Sequence, residues 1–325
     1  MPPFQPSRAH YHKALQARSV SRSVRETLGK TPFSGRIAAV YDRACTLEFP
    51  GGSLVSVVLP EIGDGPLNLV LEDSLGALPA LQPGQEVRVE DRWLELGGFA
   101  ISLAGARTWE PSPPWVQLRK RRKTITGHLV HLEAHALSLA PGDSLLVLVQ
   151  ADCGWDRSVS ISSGPAPSFY LTAGRGTIDE SVHSIAFEAA LRLRAGWEGD
   201  PALLKAGAKQ LAGLGGGLTP AGDDFLSGVM LWTWLAHPDP QYCCEAVLEA
   251  GTPRTTRFSA ALLRAAAAGQ CSASWHRLLA VLEREEVHDL AAAAERVLSY
   301  GHTSGADTLA GFLWMGLGLS KSVTE

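Results

Sequence analysis

Leu211 to Ala236 reads LAGLGGGLTPAGDDFLSGVMLWTWLA, and its two ends belong to different kinds of structure. The second part is apolar on all sides, which predicts a buried helix rather than a surface one. The first part packs Gly215, Gly216 and Gly217, a Thr219-Pro220 pair, Gly222 and two aspartates into ten residues. Consecutive glycines let the backbone take positive φ and let a ligand come close. Thr219 or Asp223 is placed to cap the buried helix, and the first free N–H groups of such a helix attract anions. Upstream, Asp200 as N-cap and Pro201 at the first helical position predict a helix from Asp200 to Leu211.

The pattern recurs near the C-terminus. Gly301-His302-Thr303-Ser304-Gly305-Ala306-Asp307-Thr308-Leu309-Ala310-Gly311 again leads into an apolar run. Setting Gly222 to Gly228 against Gly305 to Gly311 matches both glycines, the second aspartate and the leucine, with Thr219 and Thr303 one position out of register. Two related turn-helix units follow from this, with Gly228 near Gly311 where the helices cross and with both N-termini facing one pocket. Chance likeness between glycine-containing buried helices is the competing explanation.

The segments GLGGGLTPAGDDFLSG, Thr255-Thr256-Arg257-Phe258-Ser259 with Leu262, Leu263 and Gly269, and Gly301 to Asp307 resemble the AllH-type family. That family includes a subunit of oxamate carbamoyltransferase, an activity of allantoin breakdown. The resemblance is sharp over about the last third of the chain. It implies carbamoyl transfer between carbamoyl phosphate and oxamate, within an oligomer containing other carbamoyltransferase subunits. Gly216 departs from the pattern, since the family is expected to carry proline there.

The rest of the chain frames these motifs. Its 325 residues suffice for two domains. A formal net charge of −4 gives no general attraction to nucleic acid. No apolar run is long enough to span a bilayer, so no membrane role is expected. The five cysteines lack C-x-x-C spacing and only Cys243 and Cys244 are close, which fits a reducing cytoplasm.

Residues 1–33 read as an N-terminal helix, Ser7 to Leu28. Residues 34–110 read as a β-rich barrel or sandwich. Its runs are Arg36–Tyr41, Thr46–Phe49, Leu54–Leu59, Leu67–Leu71, Glu86–Glu90, Trp93–Leu96 and Ala100–Leu103. The proline cluster at 111–114 separates this from a mainly α-helical ligand-binding domain, 115–325, which makes the protein α+β. Leu145 to Gln150 reads as a strand or short buried segment and Ser158 to Gly176 as loop. Further helices are expected over Ile178–Gly196, Gln241–Ala250, Arg257–Ala268, Ser274–Arg284 and Val287–Leu298.

The glycine turns carry no Walker lysine, the segment before them is a helix rather than a dinucleotide-fold strand, and no Gly-x-Ser-x-Gly or His-Glu-x-x-His is present. Backbone anion binding, side-chain catalysis or a hard metal on carboxylates remain. Asp224, matched by Asp307, is assigned with Asp307 to catalysis, Asp223 to local structure, and His302 to proton transfer near neutrality. The alternative is that these aspartates only cap helices. Binding of a small anionic substrate is assigned to Gly215, Gly216, Gly217, Thr219, Gly222, Arg254, Thr255, Thr256, Arg257, Thr303, Ser304 and Gly305. Arg254 and Arg257 offer planar forks to oxyanions, although Thr252 to Arg257 also reads as a threonine-capped helix start.

Two rival functions stay open: a magnesium-dependent hydrolase of the ADP-ribosylglycohydrolase kind, and a non-catalytic binding subunit. Magnesium is therefore a candidate cofactor, and no other is expected. The basic run Arg119 to Lys123 reads as a solvated helix face, with acidic-ligand or nucleic-acid binding as the alternative. His128, His131 and His135 share a helical face with only Glu133 near, too sparse for a metal centre.

Overall fold

A computed structural model describes residues 13–29, 33–73, 78, 81–152 and 180–321. The proposed loop 158–176 lies outside these residues. The chain divides into two compact units: residues 1–113 with 271–273, and 114–270 with 274–325.

The first unit is an eight-stranded barrel. Its strands are β1 (Lys13–Ser21), β2 (Phe33–Val40), β3 (Ala44–Glu48), β4 (Leu54–Val58), β5 (Asn68–Leu71), β6 (Glu86–Glu90), β7 (Trp93–Leu96) and β8 (Phe99–Ser102). They run in the order β5-β4-β3-β2-β6-β7-β8-β1, and β1 returns to pair with β5. β1 achieves this by changing partner along its length. Lys13 to Gln16 pair parallel with β8, and Ala17 to Val20 pair antiparallel with β5 across an irregularity between Ala17 and Ser19. A short β9 (Arg107–Trp109) adds to the end of β1. Closure leaves no open edge among these eight strands. In β6 the sequence Glu-Val-Arg-Val-Glu alternates exposed and buried, as a barrel wall requires. Ile37, Leu47, Val55, Val57, Leu69, Leu94 and Ile101 fill the interior.

The expected N-terminal helix is corrected here. Residues 13–21 form β1, and only α1 (Arg22–Leu28) is helical. Leu15, Ala17 and Ser19 are buried while Ala14, Gln16 and Arg18 are half-buried or exposed, a period of two that a helix could not satisfy. That period is hidden in the sequence because alanine and serine are the inward residues.

The second unit is helical: α2 (Trp115–Lys120), α3 (Arg122–Leu139), α4 (Val147–Asp152), α5 (Glu180–Trp197), α6 (Pro201–Leu211), α7 (Ala221–Ala236), α8 (Pro240–Gly251), α9 (Arg257–Ala267), α10 (Ala273–Leu282), α11 (Leu290–Leu298) and α12 (Ser304–Lys321). Leu145 to Gln150 is thus a buried turn leading into helix, not a strand. Asp200 caps α6 as expected, accepting from the Ala202 and Leu203 amides with Pro201 at the first position.

α7 and α12 form the centre of this unit. Phe225, Met230, Phe312, Leu313 and Met315 are wholly buried. The two helices cross at glycines. A methyl group on Gly228 would stand 1.8 Å from the Thr308 carbonyl oxygen, and one on Gly311 would stand 2.0 Å from that of Phe225. The shift that maps Gly222 onto Gly305 also maps Phe225 onto Thr308 and Gly228 onto Gly311, so the crossing is symmetric under exchange of the two helices. Each helix also starts on the end of its predecessor. A side chain at Gly222 would strike the Leu211 carbonyl at the end of α6, and one at Gly305 the Val297 carbonyl near the end of α11. The duplicated motif therefore encodes a duplicated packing arrangement, α6–α7 and α11–α12.

The basic run has a structural task. Arg119 Nε donates to the Trp234 carbonyl at 2.8 Å and Arg122 Nη1 to that of Ala236 at 3.0 Å. These are the last carbonyls of α7, where the negative end of the helix dipole accumulates. Arg121 pairs with Glu285 at the surface. Among the described residues no helix is long and apolar enough to cross a membrane.

Candidate functional site

The first turns of α7 and α12 meet. The hydroxyls of Thr219, just ahead of α7, and Ser304, at the start of α12, are 2.9 Å apart, and both hydrogen-bond to Asp224. Asp224 is 7% exposed and Asp307 is fully buried. They lie near enough for the charge of Asp307 to act on Asp224. Burial is the main influence on each. It holds the Asp224 carboxyl well above the usual carboxylate range, with the Asp307 and Asp223 charges adding to the shift and the Ser304 and Thr219 hydroxyls opposing it. Asp307 is pushed up to about 7 by burial, opposed by the Leu145 amide and the Thr303 hydroxyl.

Asp223 and Asp224 diverge as neighbours on a helix must, and their roles separate. Asp223 is 1% exposed and both of its oxygens are engaged. Oδ1 accepts from the Gly213 amide at 3.0 Å, and Oδ2 accepts from the Thr255 hydroxyl and from the Ser259 hydroxyl at 2.7 Å. It ties the glycine turn, the segment before α9 and α7 into one body. Neither it nor Thr219 caps α7, a correction to the sequence expectation. The N-cap is Pro220, without a side-chain hydrogen bond, and the Gly222 amide bonds back to the Leu214 carbonyl. Asp223 is drawn away because Gly213 presents its amide close by. Gly213 itself has φ 75° and sits where a methyl group would meet the Arg254 carbonyl at 2.3 Å, so only glycine fits. Both Asp223 oxygens thus already accept from N–H or O–H donors of the protein. Among the described residues no group of three or more His, Cys, Asp or Glu is placed to hold a metal.

The other assigned residues fall into two sets. Gly215, Gly216 and Gly217 form an exposed turn whose amides donate to no protein acceptor among the described residues. Gly305 is buried, its amide bonded to the Tyr300 carbonyl at 3.0 Å. Thr255 is committed to Asp223. Thr256 caps α9 through the Ser259 amide and donates to the Leu218 carbonyl at 2.8 Å. The threonines thus serve the helix-start reading, while Arg254 and Arg257 are exposed beside them. His302 is exposed, its Nε2 3.2 Å from Asp143 Oδ2, and its charge acts on Asp307. His128 bonds to the Leu282 carbonyl, and His131 and His135 face outward.

Two participants escape a sequence reading. Leu145 donates its amide to Asp307 Oδ1 at 2.7 Å, which brings Asp143 beside His302. Tyr300, although 42% exposed as a residue, has its hydroxyl raised in pKa by burial and by the charge of Asp224. Asp143 follows Pro141-Gly142 and reads as an ordinary turn, and nothing local signals its distant partner. Tyr300 borders the second glycine turn, which was its one available signal.

This arrangement offers a polar, exposed turn of free amides and two buried carboxyls that lean toward the protonated form. It can hold an oxyanion at the amides and exchange protons or hydrogen bonds at the carboxyls.

A family model described as oxamate carbamoyltransferase subunit AllH matches residues 211–316, which take in both turns and their carboxylates. A second, described as the AllH family N-terminal domain, matches residues 16–108, the barrel. No solved structure matches the chain. Barrel and helical unit are thus both recognised by models of one family, and the chain belongs to the AllH family.

Proposed function

We propose that this protein binds the substrates of carbamoyl transfer, carbamoyl phosphate and oxamate, as one subunit of an oxamate carbamoyltransferase assembly. The observation that carries the reading is the convergence of two equivalent helix starts on Asp224 and Asp307, with the amides of Gly215 to Gly217 unclaimed nearby in sequence. The reaction joins the oxamate nitrogen to the carbamoyl carbon and breaks the bond from that carbon to the phosphate oxygen. The nitrogen loses one proton and the departing phosphate can take it up. A carboxylate that titrates near neutrality suits such a relay, and Asp307 is of that kind. His302, exposed and paired with Asp143, carries protons between Asp307 and solvent. The amides of Gly215 to Gly217, with Arg254 and Arg257, receive the oxyanion of the substrate.

The partners are other subunits of the carbamoyltransferase, in keeping with the family description. Calorimetric titration with carbamoyl phosphate and oxamate, alone and with those subunits, tests this. Saturable binding of either ligand, weakened by about 1.5–3 kcal/mol in Arg257→Ala, is the expected result. No heat with either ligand in any combination of subunits would refute it.

A further inference from the structure

Asp223 shows how this fold treats a carboxylate whose work is structural: three donors fill its two oxygens. Asp224 and Asp307 are treated otherwise. Asp224 meets the Thr219 and Ser304 hydroxyls, and Asp307 Oδ1 meets the Leu145 amide, yet Oδ2 of each is buried without a hydrogen-bond partner. Equivalent positions of the two turn-helix units thus leave the same atom unsatisfied. A buried acceptor without a donor is costly, and two at matched positions call for a common explanation.

We infer that Asp224 Oδ2 and Asp307 Oδ2 each receive one hydrogen of a ligand NH2 group, so that the paired helix starts recognise the primary amide of the substrate. This rests on the carbamoyl-transfer reading and assigns its two ends. The glycine amides take the oxyanion, and the carboxylates take the nitrogen. A planar amide nitrogen carries two diverging hydrogens, which suits two acceptors supplied by two helices. An oxyanion at the carboxylates would meet repulsion from both, whereas the hydroxyls of Thr219, Ser304 and Thr303 hydrogen-bond with them.

The inference has a proton signature. The groups facing Asp224 are Asp307, Asp223, Tyr300 and the Thr219 and Ser304 hydroxyls; those facing Asp307 are Asp143, His302, Thr303 and the Leu145 amide. In this setting burial raises both carboxyls above the usual carboxylate range, Asp307 to about 7. An N–H donor binds the ionised form, so binding must release protons, and affinity must rise as pH increases through about 7. A ligand presenting an acceptor instead would take protons up.

The test is calorimetry on the full chain in two buffers of different ionisation enthalpy, pairing oxamate with oxalate and carbamoyl phosphate with acetyl phosphate. The amide-bearing member of each pair should bind at least about tenfold more tightly, with proton release. In Asp224→Asn and Asp307→Asn that preference should fall to about twofold or less. Equal affinity within both pairs, proton uptake, or a preference that survives both substitutions overturns the inference while leaving the carbamoyl-transfer reading in place. If none of the four anions binds, that reading fails, and urea, which offers NH2 groups without an oxyanion, becomes the probe. Binding of urea that releases protons and needs Asp224 and Asp307 then upholds the inference, and its absence overturns it. The wild-type proton count needs no variant, so a misfolded substitution cannot decide the outcome.

Discussion

The two turn-helix units, α6–α7 and α11–α12, share a plan and differ in equipment. Both begin on the preceding helix through a glycine, Gly222 or Gly305, and both cross at a glycine, Gly228 or Gly311. Both place a buried carboxylate at the same position, Asp224 or Asp307. At the neighbouring position they part: Asp223 in the first unit, Ala306 in the second. The first unit has a long glycine turn to anchor and uses Asp223 for it. The second turn is short and needs no such anchor. What both units keep is packing plus one carboxylate, and that is where function is expected. What only one keeps serves its own loop.

The largest effect should come from breaking the shared crossing. Gly228→Ala and Gly311→Ala each drive a methyl group into a backbone carbonyl, and each should cost about 3 kcal/mol or more in urea unfolding. Gly216→Ala, where a methyl group meets nothing and φ is not positive, should stay within about 1 kcal/mol of wild type. A large loss at one crossing glycine and none at the other would break the equivalence of the two units.

Next comes the position at which the units differ. Asp223→Ala strands the Gly213 amide and the Thr255 and Ser259 hydroxyls and should cost about 2–4 kcal/mol by thermal unfolding. The reverse exchange, Ala306→Asp, buries a carboxylate at a fully buried site with no donors arranged for it, and should be at least as damaging. A harmless Ala306→Asp would mean that the second turn can host the same network after all.

A third effect follows from Asp307. Its folded pKa, about 7, lies above the value near 4 of an unfolded aspartate, so the folded state binds more protons between those limits. Stability should therefore fall as pH rises from about 4 to about 7, by at most about 1.4 kcal/mol per pH unit, and level off beyond. Asp307→Asn should remove that component of the slope. An unchanged slope in the variant would place the titration elsewhere.

The smallest effect concerns α7 alone. Arg119→Ala removes a donor and a positive charge from the helix C-terminus and should cost about 1 kcal/mol, reduced by salt. α12 offers the comparison: Arg194 reaches the Trp314 carbonyl within the helix and lies over the Trp314 ring.

Legibility in the sequence followed the range of the interaction. The glycine motif fixed the α7–α12 crossing because close backbone approach admits no side chain, and a missing side chain is visible in a sequence. Seven strands announced themselves through alternation with turn residues. β1 did not, since its inward positions Ala17 and Ser19 carry no hydrophobic signal. That Asp223 and Asp224 diverge was readable from their neighbouring positions on a helix, and the equivalence of Asp224 and Asp307 from the repeated motif. The partners of Asp223 in the Thr255–Ser259 segment were not, nor was Asp143 beside His302, because those contacts join segments far apart in the chain and leave no local pattern. Arg119 and Arg122 looked like a solvated face for the same reason. Their acceptors are main-chain carbonyls, which every sequence contains.

The account stands on Asp224 being a ligand group and not a structural one. Asp224→Asn, followed by thermal unfolding and by calorimetric titration with carbamoyl phosphate and oxamate, tests that directly. The account predicts a melting midpoint within about 3 °C of wild type, corresponding to roughly 1–2 kcal/mol at most, together with binding of the amide-bearing ligands weakened by about tenfold or more. A variant that melts far below wild type, yet binds these ligands unchanged per folded molecule, would contradict it.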